Sequence, residues 1–250
     1  MSSRILPLIS AALLAAAAHA DDITVMSTVA LTPTLNELVP KFEKEGGHKV
    51  TIIYSTAADL KKRVEAGETA DVMILTRPLL DTLEGEGKAA KGSVVNLGKS
   101  YAAIGIRAGA TPPDISTPEK FKAALLAAKS ISYADPANGG FSGVLIAKII
   151  DQLGITAQMK PKTTLVPAAQ SPDLVARGEV EMSVAMASEI LAVPGTQLVG
   201  PFPGELYASL MFAAGIGEKP KNAAGAKALI EVLTGPAGAV VMQAKGMDRP

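Results

Sequence analysis

Four short segments carry residue types that suit the binding of an anion. Ser27-Thr28-Val29-Ala30, Ser55-Thr56-Ala57-Ala58, the run from Asp135 to Gly143 and Ala185-Met186-Ala187-Ser188 each put small or hydroxyl side chains directly after an apolar run. If each run is a strand and each segment opens a helix, first-turn N–H groups lack intrahelical acceptors. The positive ends of the helix dipoles then face the same region. Glycines in the third segment let the backbone approach a ligand closely. The candidate ligand-binding residues are Ser27, Thr28, Ser55, Thr56, Asn138, Gly139, Gly140, Ser142 and Ser188. Any single segment also reads as ordinary helix capping; the recurrence of the pattern is what points to a site. Arg77 follows the Asp71–Leu75 run and offers a guanidinium that could grip a carboxylate with two prongs. Its plainer alternative is a solvated loop arginine.

Other groups are less marked. Tyr54, Tyr133 and Tyr207 offer hydroxyls or half-buried packing. Glu189 reads as a cap, a bridge between lobes or, more simply, part of a solvated helix face. His48 follows Gly46-Gly47 and reads as a turn residue. For proton transfer the base candidates are Asp59, Asp135, Tyr54, Tyr133 and Glu189. None sits in a catalytic motif, so no catalytic residue is assigned. The sequence has no cysteine, two histidines and nine methionines. Disulfides, thiolate metal sites and histidine-rich metal sites are therefore excluded, and no metal or cofactor is expected. The methionines read as core filler. Lys and Arg total 24 against 24 Asp and Glu, which argues against a nucleic-acid partner.

These groups must be positioned by a larger plan. Residues 1–20 have Arg4, a thirteen-residue apolar run and Ala18-His19-Ala20, the pattern of a cleaved signal peptide. The expected product is periplasmic, not membrane-embedded, with one net negative charge. Short apolar runs at 23–26, 50–54 and 71–75 alternate with helical patterns, which implies a parallel sheet covered by helices. The first helix starts with Thr32 as cap and Pro33 at its first position, and Pro40 is expected to kink it. A similar plan recurs from residue 100 onward. Val64-Glu65-Ala66-Gly67-Glu68 and Val175-Ala176-Arg177-Gly178-Glu179 each precede a strand pattern. After Tyr207 an apolar run and two helical patterns return to the first unit. The expectation is an α/β fold of two lobes, residues 21–99 with 206–250 and residues 100–205, with the ligand cleft between them.

At Ile23-Thr24-Val25, Ala30-Leu31-Thr32, Val64 to Gly67, Ala70-Asp71, Asp135-Pro136 and Leu233 to Ala237, the sequence resembles the periplasmic molybdate-binding proteins of ABC importers. The resemblance spans nearly all of the chain after residue 20. It implies the type II binding-protein clamshell, with an oxyanion held by hydroxyls and backbone N–H groups. Three hydroxyl positions of that family fall at Ala30, Ala57 and Ala185 here. Each lost donor costs a dehydrated oxyanion about 1–3 kcal/mol, so the expected ligand is not molybdate. The Asp135–Gly143 run resembles a divergent branch that includes aconitate isomerase.

Two functions follow as expectations. The first is a periplasmic binding protein that delivers a small anion, an organic di- or tricarboxylate, to the membrane subunits of an ABC importer. The second is an isomerase that moves a proton and a double bond in aconitate on the same scaffold, which requires a base beside the allylic carbon.

Overall fold

The structure, a computed structural model, describes residues 22–250. The expected signal peptide at 1–20 lies outside the described residues. Strands β1 (Ile23–Thr28), β2 (Val50–Ser55) and β3 (Val72–Thr76) run parallel in the order β2-β1-β3. They are joined by α1 (Thr32–Gly46) and α2 (Ala57–Glu65). Helix α3 (Arg77–Gly85) leads to the long strand β4 (Val95–Arg107). The middle of the chain forms α4 (Pro118–Ala127), β5 (Ile131–Ala134), α5 (Phe141–Gln152) and the short α6 (Thr156–Met159). It continues with β6 (Thr163–Val166), α7 (Ser171–Ala176), β7 (Met182–Met186), α8 (Ala187–Ala192) and β8 (Thr196–Pro201). Strand β9 (Ser209–Ile216) and helices α9 (Ala223–Thr234) and α10 (Pro236–Ala244) follow.

This is the expected two-lobed α/β fold, and β4 runs through both lobes. Its first half, Val95 to Tyr101, pairs antiparallel with β9. Its second half pairs with β7 and β8. β9 also pairs with β3, so the strand order is β2-β1-β3-β9-β4-β7-β5-β6. Every residue of β3 is buried, as expected of a central strand with helices on both faces. Helices α9 and α10 pack on α1. Leu31, Leu35, Ile74, Phe212 and Leu229 belong to the core of this first lobe. Ile104, Phe121, Ile149, Val184 and Phe202 belong to that of the second. A buried carboxylate also braces the first lobe. Asp71 Oδ2 accepts the Thr24 N–H at 2.7 Å and Oδ1 accepts the Asn222 N–H at 2.9 Å, fixing the start of α9 against β1.

Two local expectations change. A 3-10 turn, Val29–Leu31, precedes α1, so Thr32 is helical rather than the cap. α1 continues through Pro40 to Gly46 instead of breaking there, and Pro40 is exposed; this leaves the expected kink untouched. The carbonyl of Asn36 that loses its donor there also belongs to an exposed residue, where water can satisfy it. Arg77 is not in a loop but opens α3, with Pro78 tolerated in the first turn.

Candidate functional site

The carboxyl ends of β1, β2, β3 and β5 and the starts of the helices that follow them meet at one cleft, which encloses about 230 Å³. That is room for a small ligand rather than a drug-sized one. Thr28, Thr56, Thr76, Gly139, Gly140 and Ser142 supply much of its polar lining. Ala57, Ala58, Ala134, Leu79, Leu210 and Phe212 supply much of the apolar wall.

Helix starts orient the donors. Thr56 caps α2, its Oγ1 accepting the Asp59 N–H at 3.2 Å. Helix geometry leaves the N–H groups of Ala57 and Ala58 without intrahelical acceptors. The same holds for Phe141 and Ser142 in α5, after the Gly140 cap. α5 reaches this place because Gly143 has no side chain: a Cβ there would lie 1.9 Å from the Ala134 carbonyl oxygen at the end of β5. The Thr28 hydroxyl is buried on the cleft wall with no hydrogen-bond partner among the described residues. Ala169, also on the wall, holds φ at 65°, a left-handed conformation rarely adopted without glycine.

Of the sequence candidates, Thr28, Thr56, Gly139, Gly140 and Ser142 line the cleft, and the others do not. Ser27 alternates with Thr28 along β1, so it faces the other way. It is fully buried and donates to the Thr28 carbonyl at 3.1 Å. Ser55 Oγ donates to Asp59 Oδ2 at 2.7 Å. Asn138 turns its carbonyl toward Thr56 Oγ1, 3.4 Å away. Ser188 is fully buried in α8, its hydroxyl without a partner. Arg77 is engaged on its own helix and strand neighbours. Its Nε donates to Asp81 Oδ1 at 2.6 Å, one helical turn on, and its Nη1 to Asn96 Oδ1 at 3.1 Å. Neither partner lines the cleft, and the guanidinium is held beside them.

Among the five base candidates only Glu189 lines the cleft. Asp59 is held by Ser55, and Asp135 Oδ1 accepts the Ala137 N–H at 2.9 Å. Tyr54 donates to Asn36 Oδ1 at 3.4 Å, and burial pushes its hydroxyl up to about 12. Burial also raises the Tyr133 hydroxyl. Tyr207 is half exposed beside Tyr101, and His48 stacks on Phe42. Glu189 is not on a solvated helix face. It is buried in the first turn of α8, and Oε2 accepts the Met186 N–H at 3.0 Å, which makes it the cap that the sequence also allowed. Burial pushes its carboxyl up to about 7, and the Met186 N–H offsets part of that rise.

Sequence reasoning missed Thr76, although a hydroxyl ending a strand before a helix start is the same signal that found Thr28 and Thr56. It also missed Ala168 and Ala169 after β6 and Leu210 and Phe212 in β9, whose small or apolar side chains carry no chemical signal.

Comparison with known proteins agrees with this architecture. The profile of a family described as bacterial extracellular solute-binding protein matches residues 23–248. An aconitate isomerase from a Pseudomonas species is 31% identical, covering 94% of this chain and 90% of its own. The molybdate-binding protein of Azotobacter vinelandii is 27% identical, covering 98% of this chain and 96% of its own. Among solved structures, an A. vinelandii periplasmic molybdate-binding protein superposes with a TM-score of 0.73 at 18% identity, covering 91% of this chain and 99% of its own. The sulfate-binding protein SubI from Mycobacterium tuberculosis H37Rv gives 0.70 at 17% identity, covering 91% of this chain and 86% of its own.

Proposed function

Because the chain belongs to the family of bacterial extracellular solute-binding proteins, we propose that it is an exported, periplasmic member that binds a small organic di- or tricarboxylate between its lobes and passes it to the membrane subunits of an ABC importer. The observation that carries the ligand class is the cleft wall. Ala57, Ala58, Leu79, Leu210 and Phe212 provide carbon surface where a bare inorganic oxyanion would demand donors on every side. A carboxylate with a carbon skeleton uses both kinds of surface. Its carbons pack on the wall while its oxygens take the Thr28, Thr56 and Thr76 hydroxyls and the helix-start N–H groups. The lobes proposed for this movement are residues 21–99 with 206–250 and residues 100–205. Calorimetry with cis-aconitate, tricarballylate, succinate and molybdate tests the reading. Binding of a carboxylate with little or no response to molybdate supports it, and the opposite ranking overturns it.

A second reading is favoured by one observation: a single carboxyl, Glu189, lines the cleft of a chain 31% identical to an aconitate isomerase. In that reading ionised Glu189 removes a proton from the allylic carbon of aconitate. The double bond shifts, and the proton returns at the other end of the allyl unit. NMR of cis-aconitate incubated with the protein separates the two: trans-aconitate forms with an isomerase, while binding without conversion leaves the binding protein.

A further inference from the structure

We propose that the cleft takes up its anion together with one proton from solvent, carried on Glu189, so that this residue makes binding pH-dependent. The inference rests on the anion-binding reading above and adds the group that regulates it. The cleft is built to attract negative charge by helix starts and hydroxyls, yet among the described residues no Lys or Arg lines it and the one ionisable side chain on its wall is a carboxylic acid. Oε2 of that acid accepts the Met186 N–H, and among the described residues Oε1 has no protein partner. Ionised, Glu189 and a bound anion would be like charges confined to about 230 Å³. Protonated, the acid becomes a further donor, beside the cleft hydroxyls, that a ligand oxygen can accept from.

The surroundings leave this proton unopposed. α8 packs against β4, β7, β8, α1, the 3-10 turn Val29–Leu31 and the backbone at Gly246, which Lys245 and Asp248 flank. β7, β8 and that turn contain no ionisable side chain. β4 carries Lys99, Tyr101 and Arg107, and α1 carries Glu37, Lys41, Glu43, Lys44 and Glu45. None of these acts on Glu189; burial raises its carboxyl and only the Met186 N–H opposes it. Burial therefore favours the protonated acid in the free cleft, and an arriving anion favours it further.

The test is calorimetry of the wild-type protein and Glu189→Gln with cis-aconitate and, separately, with molybdate, from about pH 7 to about pH 9. Titrations in two buffers of different ionisation enthalpy count the protons taken up. For whichever anion binds, wild-type affinity should fall by up to tenfold for each pH unit, with close to one proton taken up at the alkaline end. Glu189→Gln should bind with flat pH dependence and no uptake. Wild-type binding that is flat with pH, or a Glu189→Gln variant that keeps the full dependence, overturns the inference while leaving the anion reading intact. Absence of binding by either probe at pH 5.5 removes the anion reading and this inference with it.

Discussion

Thr56 Oγ1 donates to the carbonyl oxygen of Asn138 at 3.4 Å, a contact between residues 82 positions apart. Thr56 opens α2 in the first lobe, and Asn138 ends the 3-10 turn before α5 in the second. The cleft is therefore latched at one lip by a single long hydrogen bond, with Ala58 and Gly139 in close apposition beside it. Thr56→Val removes the latch and the α2 cap together. Loss of the cap should lower stability by about 1 kcal/mol. Loss of the latch should speed ligand release. Denaturant unfolding reads the first effect and stopped-flow displacement the second.

Thr28 separates stability from binding. Its hydroxyl is buried without a partner among the described residues, so Thr28→Val keeps the shape and removes an unsatisfied group. The free protein should be unchanged or more stable by about 1 kcal/mol. Anion affinity should fall by about ten- to a hundredfold, because a hydrogen bond to a charged ligand is worth about 1.5–3 kcal/mol. Thermal unfolding and calorimetry on the same sample check both.

Arg77→Ala should leave affinity unchanged. The guanidinium is engaged with Asp81 and Asn96 on a partly exposed surface, and breaking such an ion pair costs less than about 1 kcal/mol. A tenfold loss of carboxylate affinity in calorimetry would restore the sequence-based role for this residue.

Gly143→Ala should disturb the site without touching ligand. An added methyl meets the Ala134 carbonyl oxygen, so the start of α5 must move away from β5. Overpacking of this kind costs about 1–3 kcal/mol. The displaced N–H groups of Phe141 and Ser142 should weaken binding more than the loss of stability alone implies, measured well below the unfolding midpoint.

Glu189 also writes itself into stability. Its carboxyl is raised from 4.5 to about 7 on folding. Between those values the unfolded chain gives up the proton first, so this group's contribution to stability falls as pH rises. Between pH 5 and 8 the wild-type protein should lose about 2–3 kcal/mol relative to Glu189→Gln. Parallel urea titrations of the two proteins at both pH values measure the difference.

The positions of most strands and helices were legible because β1, β2, β3 and β9 are short apolar runs bounded by Gly, Pro or hydroxyl residues. The polar side of the cleft was legible for the same reason, since Thr28, Thr56 and Ser142 stand at strand ends and helix starts. β6 and β8 escaped because they are half exposed at sheet edges, where apolar patterning is weak. Arg77 was ambiguous because a guanidinium has one sequence signal whether it reaches a ligand or an aspartate one turn along its own helix. Glu189 was named as a cap and a base candidate, but its place on the cleft wall depends on α8 being buried on nearly every side, which six residues of sequence cannot reveal.

The central position of β9 sets the order in which the molecule can assemble. The strand pairs with β3 through Val72 and Ile216 and with β4 through Ser100 and Leu210, so it fills a gap between two strands made long before it. Until it emerges from the ribosome, β3 and the first half of β4 have open edges and α1 lacks the surface of α9 and α10. β5 to β8 pair among themselves and with the second half of β4, none of them with β9. Such long-range closure makes folding slow. A chain that lacks this last strand leaves the sheet of the first lobe open between β3 and β4.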